Sequence, residues 1–232
     1  MSKLIAQTFA IAGLCFAFVG PANANLPKDV IEAYQTYETA LNAKQYETAE
    51  SAAYLAWQNA ETKLGDTKVT GDLAQNYADV LSYNKKPFSK TKKVYRRAIE
   101  LSKFYPEENA LTIKMDRTVS LSAYAQANGR LKETRYDLDK VIKEAESTNA
   151  APSTLLAEIY TLRAGTLSLI RNAKEAKKLG KKAETLFATT DDRIASPFRK
   201  AATDFANLDV RENNQYFLDQ SPAPERSSAR VK

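Results

Sequence analysis

The chain has 232 residues, no histidine, a single cysteine and a formal net charge of +6 from 34 basic and 28 acidic residues. The lack of histidine excludes Ser-His-Asp triads, histidine general bases and the usual His/Cys zinc sites. The charge excess is mild, well below that of a nucleic-acid-binding domain, and compatible with acidic partners or anionic phospholipid heads.

Residues 1–24 read as a secretory signal peptide. Lys3 supplies the positive start, Leu4 to Val19 form the apolar stretch, Gly20-Pro21 breaks it, and Ala22-Asn23-Ala24 offers a small-x-small processing site. The apolar run of about 16 residues is short for a membrane-spanning helix. Cys15 lies inside it, so a lipoprotein signal acylated there is the rival reading. Leu14, however, stands where such signals carry a small residue, and the downstream site is better formed. Cleavage after Ala24 leaves a chain without cysteine, which must be stabilised by packing and is long enough to bury a core. The expected location is the bacterial periplasm or the medium. No Asn-x-Ser/Thr acceptor occurs, which suits a bacterial envelope.

Beyond the leader, four segments repeat one pattern of bulky, small or apolar residues at offsets of three, seven and ten. They are Tyr46, Ala49, Ala53, Ala56; Phe88, Thr91, Tyr95, Ala98; Leu131, Thr134, Leu138, Val141; and Ala173, Ala176, Gly180, Ala183. Their starts lie 42, 43 and 42 residues apart. Steps of three, four and three trace one stripe on an α-helix. Another helix is expected before each: Ala33, Thr36, Tyr37, Ala40 in the first unit, then Ala74, Tyr77, Ala78, Leu81, then Thr118, Leu121, Ser122, Ala125, then Tyr160, Arg163, Ala164, Leu167. Small residues at Ala78, Ser122 and Ala164 let paired helices approach closely. Thr70-Gly71-Asp72, Pro106-Glu107-Glu108, Pro152-Ser153 and Ser196-Pro197 carry start signals. The pattern restarts at Phe198, Ala201, Ala202, Phe205 without completing a unit, as a capping helix would, and from Ser221 onward the chain reads as a mobile tail.

This register resembles the tetratricopeptide repeat (TPR). The stretches Lys44-Gln-Tyr-Glu-Thr-Ala-Glu50, Tyr95-Arg-Arg-Ala-Ile-Glu100 and Asn128-Gly-Arg-Leu-Lys-Glu-Thr134 are similar to that family's, and Leu64-Gly-Asp-Thr-Lys68 looks like its connector. The period exceeds the family's usual unit of about 34 residues. It resembles the longer, roughly 42-residue kinesin-light-chain type. HEAT and armadillo units of similar length remain the alternative, although they lack this small-residue register. The resemblance implies an all-α, right-handed α-solenoid of about four helical hairpins plus a C-terminal capping helix. Units are expected at about 29–66, 70–105, 107–148 and 153–188 with a cap at 196–208, in a domain 25–208 followed by a C-terminal segment 209–232 that ends in a flexible tail.

The resemblance also implies a protein-interaction module, with a partner segment held in the concave groove lined by the first helix of each unit. Carrying the family's groove positions over gives Tyr34, Glu38 and Leu41; Asp72, Gln75, Asp79 and Ser82; Asp116, Val119, Ala123 and Gln126; and Glu158, Thr161, Gly165 and Ser168. These acids and amides suit a basic or polar extended segment, unlike the Lys/Arg/Asn set of the family's carboxylate clamp. Asp72 and Asp116 have a second reading as helix-start caps. Catalysis is not expected. Ser82-x-x-Lys85 lacks a companion Lys-Thr-Gly, Tyr136-x-x-x-Lys140 lacks a glycine-rich nucleotide turn, and no cofactor or metal is implied. Two basic clusters remain: Lys85, Lys86, Lys90, Lys92, Lys93, Arg96 and Arg97, and Lys174, Lys177, Lys178, Lys181 and Lys182. Each is a solvated helix face or, in the alternative function, the convex face of an envelope-associated structural factor touching anionic membrane or cell wall. Trp57 is expected at a packing junction.

Overall fold

A computed structural model describes residues 26–148, 153–189 and 198–208; the expected signal peptide and the segment 209–232 lie outside these. Among the described residues there are nine α-helices and no strand: α1 (Lys28–Asn42), α2 (Tyr46–Leu64), α3 (Lys68–Tyr83), α4 (Phe88–Glu100), α5 (Glu107–Ala127), α6 (Leu131–Thr148), α7 (Ser153–Leu169), α8 (Ala173–Ala188) and α9 (Phe198–Ala206). A short 3-10 helix, Leu101–Phe104, extends α4. Consecutive helices pack as antiparallel hairpins, α1 with α2 through α7 with α8, and each hairpin stacks on the next. The fold is an all-α helical solenoid.

The same turn closes every hairpin. A residue in the left-handed region ends the first helix: Lys44, Lys85, Gly129 and Arg171 have φ of 58°, 53°, 71° and 64°. Each donates its N–H to the carbonyl three residues back (Leu41, Ser82, Gln126, Ser168), at 3.0–3.1 Å. The next N–H reaches five residues back, to Ala40, Leu81, Ala125 and Leu167, at 2.8–2.9 Å. This paired bonding is the Schellman stop, which satisfies helix-end carbonyls that would otherwise be left bare. Only the third turn uses glycine; the other three force a Cβ into a conformation costing roughly 1 kcal/mol.

The small-residue register packs as read. In the second helices Ala49, Ala53, Ala56, Thr91, Tyr95, Ala98, Thr134, Leu138, Val141, Ala173, Ala176, Gly180 and Ala183 are all buried. In the first helices so are Ala74, Tyr77, Ala78, Leu81, Thr118, Leu121, Ser122, Ala125, Tyr160, Arg163, Ala164 and Leu167. The first unit is looser, with Thr36 exposed and Ala33 only partly covered, because α1 has one neighbouring hairpin instead of two. Trp57 stacks on Tyr77 at 5.5 Å, at the junction of the first two hairpins.

Two details depart from the sequence reading. Helix α3 starts at Lys68, not at Asp72: the Thr67 hydroxyl accepts from Thr70 N–H and supplies the cap. Gly71 therefore sits inside the helix, where a Cβ would lie 2.9 Å from Arg117 Nη1 and from Leu101 Cβ. At the far end, Gly180 of α8 lets α9 approach so closely that a Cβ would meet Ala206 N at 2.5 Å. The capping helix is thus seated on backbone, and α7, enclosed by α5, α6, α8 and α9, is buried on nearly all sides.

Candidate functional site

The groove positions lie on α1, α3, α5 and α7, and the structure divides them into a half-open part and a closed part. Tyr34, Glu38, Leu41, Asp72, Gln75, Asp79, Ser82 and Asp116 keep partial exposure, as do Glu158 and Ser168. Val119, Ala123, Gln126, Thr161 and Gly165 are buried. Gln126 and Thr161, expected to face a ligand, are thereby removed from the open surface. Helix α9 supplies part of the covering, next to Gly165. Phe198 and Ala202 share one apolar cluster with Val119 and Ala123, and Phe205 lies 3.4 Å from the place a Cβ of Gly165 would take, beside the Gln126 amide. Thr161 turns its hydroxyl back to Ala157 O at 2.8 Å.

The acids within the half-open part have different fates. Asp72 lies one turn into α3 and Asp116 in the middle of α5, so neither caps a helix start. Asp72 accepts from Arg117 Nη2 at 2.6 Å and from the Tyr105 hydroxyl. Arg117, only 3% exposed at its side chain, also donates to Ala98 O at 2.5 Å and to Ser102 Oγ at 3.3 Å. A guanidinium with several donors on a rigid fork can tie α3, α4 and α5 together in this way. Burial still raises the Asp72 carboxyl above its ordinary range, opposed by the Tyr105 and Arg117 bonds. Asp72 is therefore a structural carboxylate, and sequence reasoning missed its partner. The only signal was that Arg117 sits one position before the buried Thr118.

Asp79 and Asp116 are different. Asp79 accepts from Gln75 Nε2 at 3.0 Å and from Tyr95 Oη at 2.8 Å, and from no basic side chain among the described residues. Desolvation pushes its carboxyl from 3.8 up to about 7, with the two hydrogen bonds opposing and the negative charge of Asp116 adding to the rise. The Tyr95 hydroxyl, buried against it, is shifted far upward. Asp116 meets no hydrogen-bond donor among the described residues, and burial raises its carboxyl too. Gln75 Oε1 is buried without a partner. On α1, Tyr34 Oη donates to Glu38 Oε1 at 2.8 Å. The half-open face thus holds two carboxylates that are partly desolvated and not neutralised by a bonded cation. A Lys or Arg side chain is the ligand chemistry that relieves this.

The two basic clusters also separate. On and before α4, Lys86 and Lys90 reach Glu50, Lys92 reaches Glu133, Arg96 reaches Asp137 at 2.5 Å, and Arg97 reaches Glu61 at 2.8 Å and Asp66 at 2.5 Å. These cations are therefore struts to the neighbouring hairpins, not a free face. Among the described residues only Lys182 of α8 has an ion pair, with Glu146 at 3.1 Å, and Lys177 donates to Leu208 O at 3.2 Å. Among the described residues no cluster of three or more acidic, His or Cys side chains could hold a metal ion, and no helix is long and apolar enough to cross a membrane.

No protein-family model matches the chain, and no curated protein matches it in sequence. Solved structures do match its fold. One is a crystal structure of kinesin light chain TPR-like repeats from Podospora anserina, 14% identical, with a TM-score of 0.60 over 84% of this chain and 90% of that one. At this identity the likeness shows the fold, a TPR-like helical repeat, and nothing finer.

Proposed function

We propose that the chain is a non-catalytic, protein-binding scaffold that holds an extended basic segment of a partner against the acidic part of its concave face, on α1, α3 and α5. The TPR-like fold supports the general class, since such arrays present an extended concave surface for binding. One observation carries the finer reading: Asp79 and Asp116 are half-buried carboxylates with no bonded cation, beside an unsatisfied Gln75 carbonyl. A partner Lys or Arg would restore the charged form of Asp79, so binding releases a proton and tightens as pH rises through about 7. The chemistry of a buried α7 argues for a short groove that ends at α5.

The test is site-specific photo-crosslinking. A crosslinking residue at Ser82 should give discrete protein adducts, and the double change Asp79→Asn with Asp116→Asn should remove them while helicity is unchanged. A crosslinker at Tyr136, 67% exposed on α6, is the comparison. Equal adducts from both positions would sink the groove assignment. Asp72 is left intact because its change would strand Arg117. The scaffold is further proposed to act in the bacterial periplasm after cleavage at Ala24. A mature N-terminus other than Asn25 on the secreted protein would overturn that.

A further inference from the structure

Helix α8 carries Lys174, Lys177, Lys178, Lys181 and Lys182 around one side, lining a shallow depression of about 430 Å³ with Thr185. The side chains fall on one face of the helix, with Glu175 and Glu184 at its two borders. Lys174, Lys178 and Lys181 are exposed and have no hydrogen bond or ion pair among the described residues. Directly before α8, at the end of α7 and in the turn, Leu169 and Ile170 expose large apolar side chains, at 37% and 38%.

We infer that this outer face of α8, with the Leu169-Ile170 tip, is a peripheral docking surface for an anionic phospholipid bilayer. The inference is independent of the concave-face reading. Charge complementarity gives the sign of the partner, and magnitudes choose its form. An acidic helix of another protein would meet these lysines as exposed ion pairs, each worth little, with no apolar face on α8 to bury beside them. A nucleic acid would ordinarily be held by arginines and stacked on exposed aromatic rings; the depression is lined by lysines, and the Tyr160 ring beneath Lys182 is buried. A bilayer presents a continuous negative field that reaches all five lysines at once, and an apolar layer beneath it that receives two aliphatic side chains. Basic charge plus an apolar insertion is the two-part arrangement that gives stable yet reversible membrane attachment.

The chain from Asn25 onward retains every described helix and avoids the apolar leader. It is sedimented with phosphatidylcholine vesicles containing or lacking phosphatidylglycerol. Binding is expected only to the anionic vesicles, with release as salt is raised. Changing Lys174, Lys178 and Lys181 together to Glu should lower the partition coefficient by about a hundredfold or more. The charge-matched triple change of Lys132, Lys140 and Lys143 on α6 to Glu should lower it far less. Leu169→Ser with Ile170→Ser should weaken binding and make the remainder more salt-sensitive. Should the Glu triple fail to fold by circular dichroism, the Lys→Gln version at the same three positions replaces it, with a smaller loss in the same direction. The inference is overturned if wild type ignores anionic vesicles, if neutral vesicles bind equally, or if both triples lose binding alike. Capture of polyglutamate or a DNA duplex in place of anionic vesicles would overturn it too.

Discussion

The second and fourth hairpins are built on the same register and carry similar numbers of cations, yet they use them in opposite ways. Lys92 and Arg96 stand four and eight residues after the start of α4; Lys177 and Lys181 stand at the same two positions in α8. The first pair is taken up by Glu133 and Asp137 of α6, the outer helix of the following hairpin. No further outer helix follows α8 among the described residues, so Lys177 and Lys181 meet no carboxylate there, and the ion pair of Lys182 runs back to Glu146 of the preceding hairpin. The interior of the second hairpin shows a similar contrast: Asp72 is tied to Arg117 and Tyr105, whereas Asp79 meets only the neutral donors Tyr95 and Gln75 among the described residues. Position along the stack, not composition, decides whether a charge is structural or available.

Four substitutions break or sharpen this contrast. The largest effect is expected from Arg117→Ala, which leaves Asp72 buried without its cation and should cost about 3–5 kcal/mol in urea or thermal unfolding. Next comes Asp79→Asn, with the opposite sign. The Asp79 carboxyl keeps its proton up to about pH 7 when folded, whereas its ordinary value is 3.8. The folded chain therefore holds a proton that the unfolded chain has already lost, and its stability falls as pH rises from about 4 to 7, then levels off. Asn lacks this term, so the variant should gain roughly 1–3 kcal/mol over wild type at pH 8, the difference shrinking towards pH 4. A difference that stays constant with pH would refute it.

The third is Arg96→Ala. Its partner Asp137 is 4% exposed, so losing the guanidinium should cost about 1–2 kcal/mol by the same unfolding measurement. The smallest is Lys181→Ala at the equivalent position of α8, which should stay within about 0.5 kcal/mol of wild type. If Lys181→Ala destabilised as much as Arg96→Ala, the distinction between tied and free cations would be wrong, and with it the case for α8 as a docking face.

Legibility followed how local the cause was. The buried stripes, the hairpin spacing and the packing of Trp57 depend on periodicity along one helix, and the sequence displays that directly. Helix starts are less clear: Thr70-Gly71-Asp72 carries a start signal in the sequence, yet Thr67 caps the helix and Gly71 lies inside it. Its actual role is to make room for an arginine 46 positions later. The first-helix positions carried over from the resembling family meet mixed fates in burial. Asp79 and Asp116 keep partial exposure, but periodicity along one helix could not foresee that Val119 and Ala123 would join the apolar cluster beneath α7 and α9 or that Gln126 and Thr161 would be enclosed. Both basic clusters look alike as strings of Lys and Arg.

By itself the sequence determined the element type, the 42–43-residue period and the residues that face inward, because an α-helix converts spacing into a face with no outside help. The absence of histidine settled in the same way which catalytic chemistries are unavailable. Only the tertiary structure decided which charges are neutralised, which of the first-helix positions keep partial exposure and which basic helix keeps lysines without an ion pair among the described residues. Those properties belong to pairs of side chains 30 to 45 residues apart, such as Asp72 with Arg117 or Arg96 with Asp137. A carboxylate's solvation, and hence its proton and its use, is set by what the stacked neighbours bring to within hydrogen-bond distance.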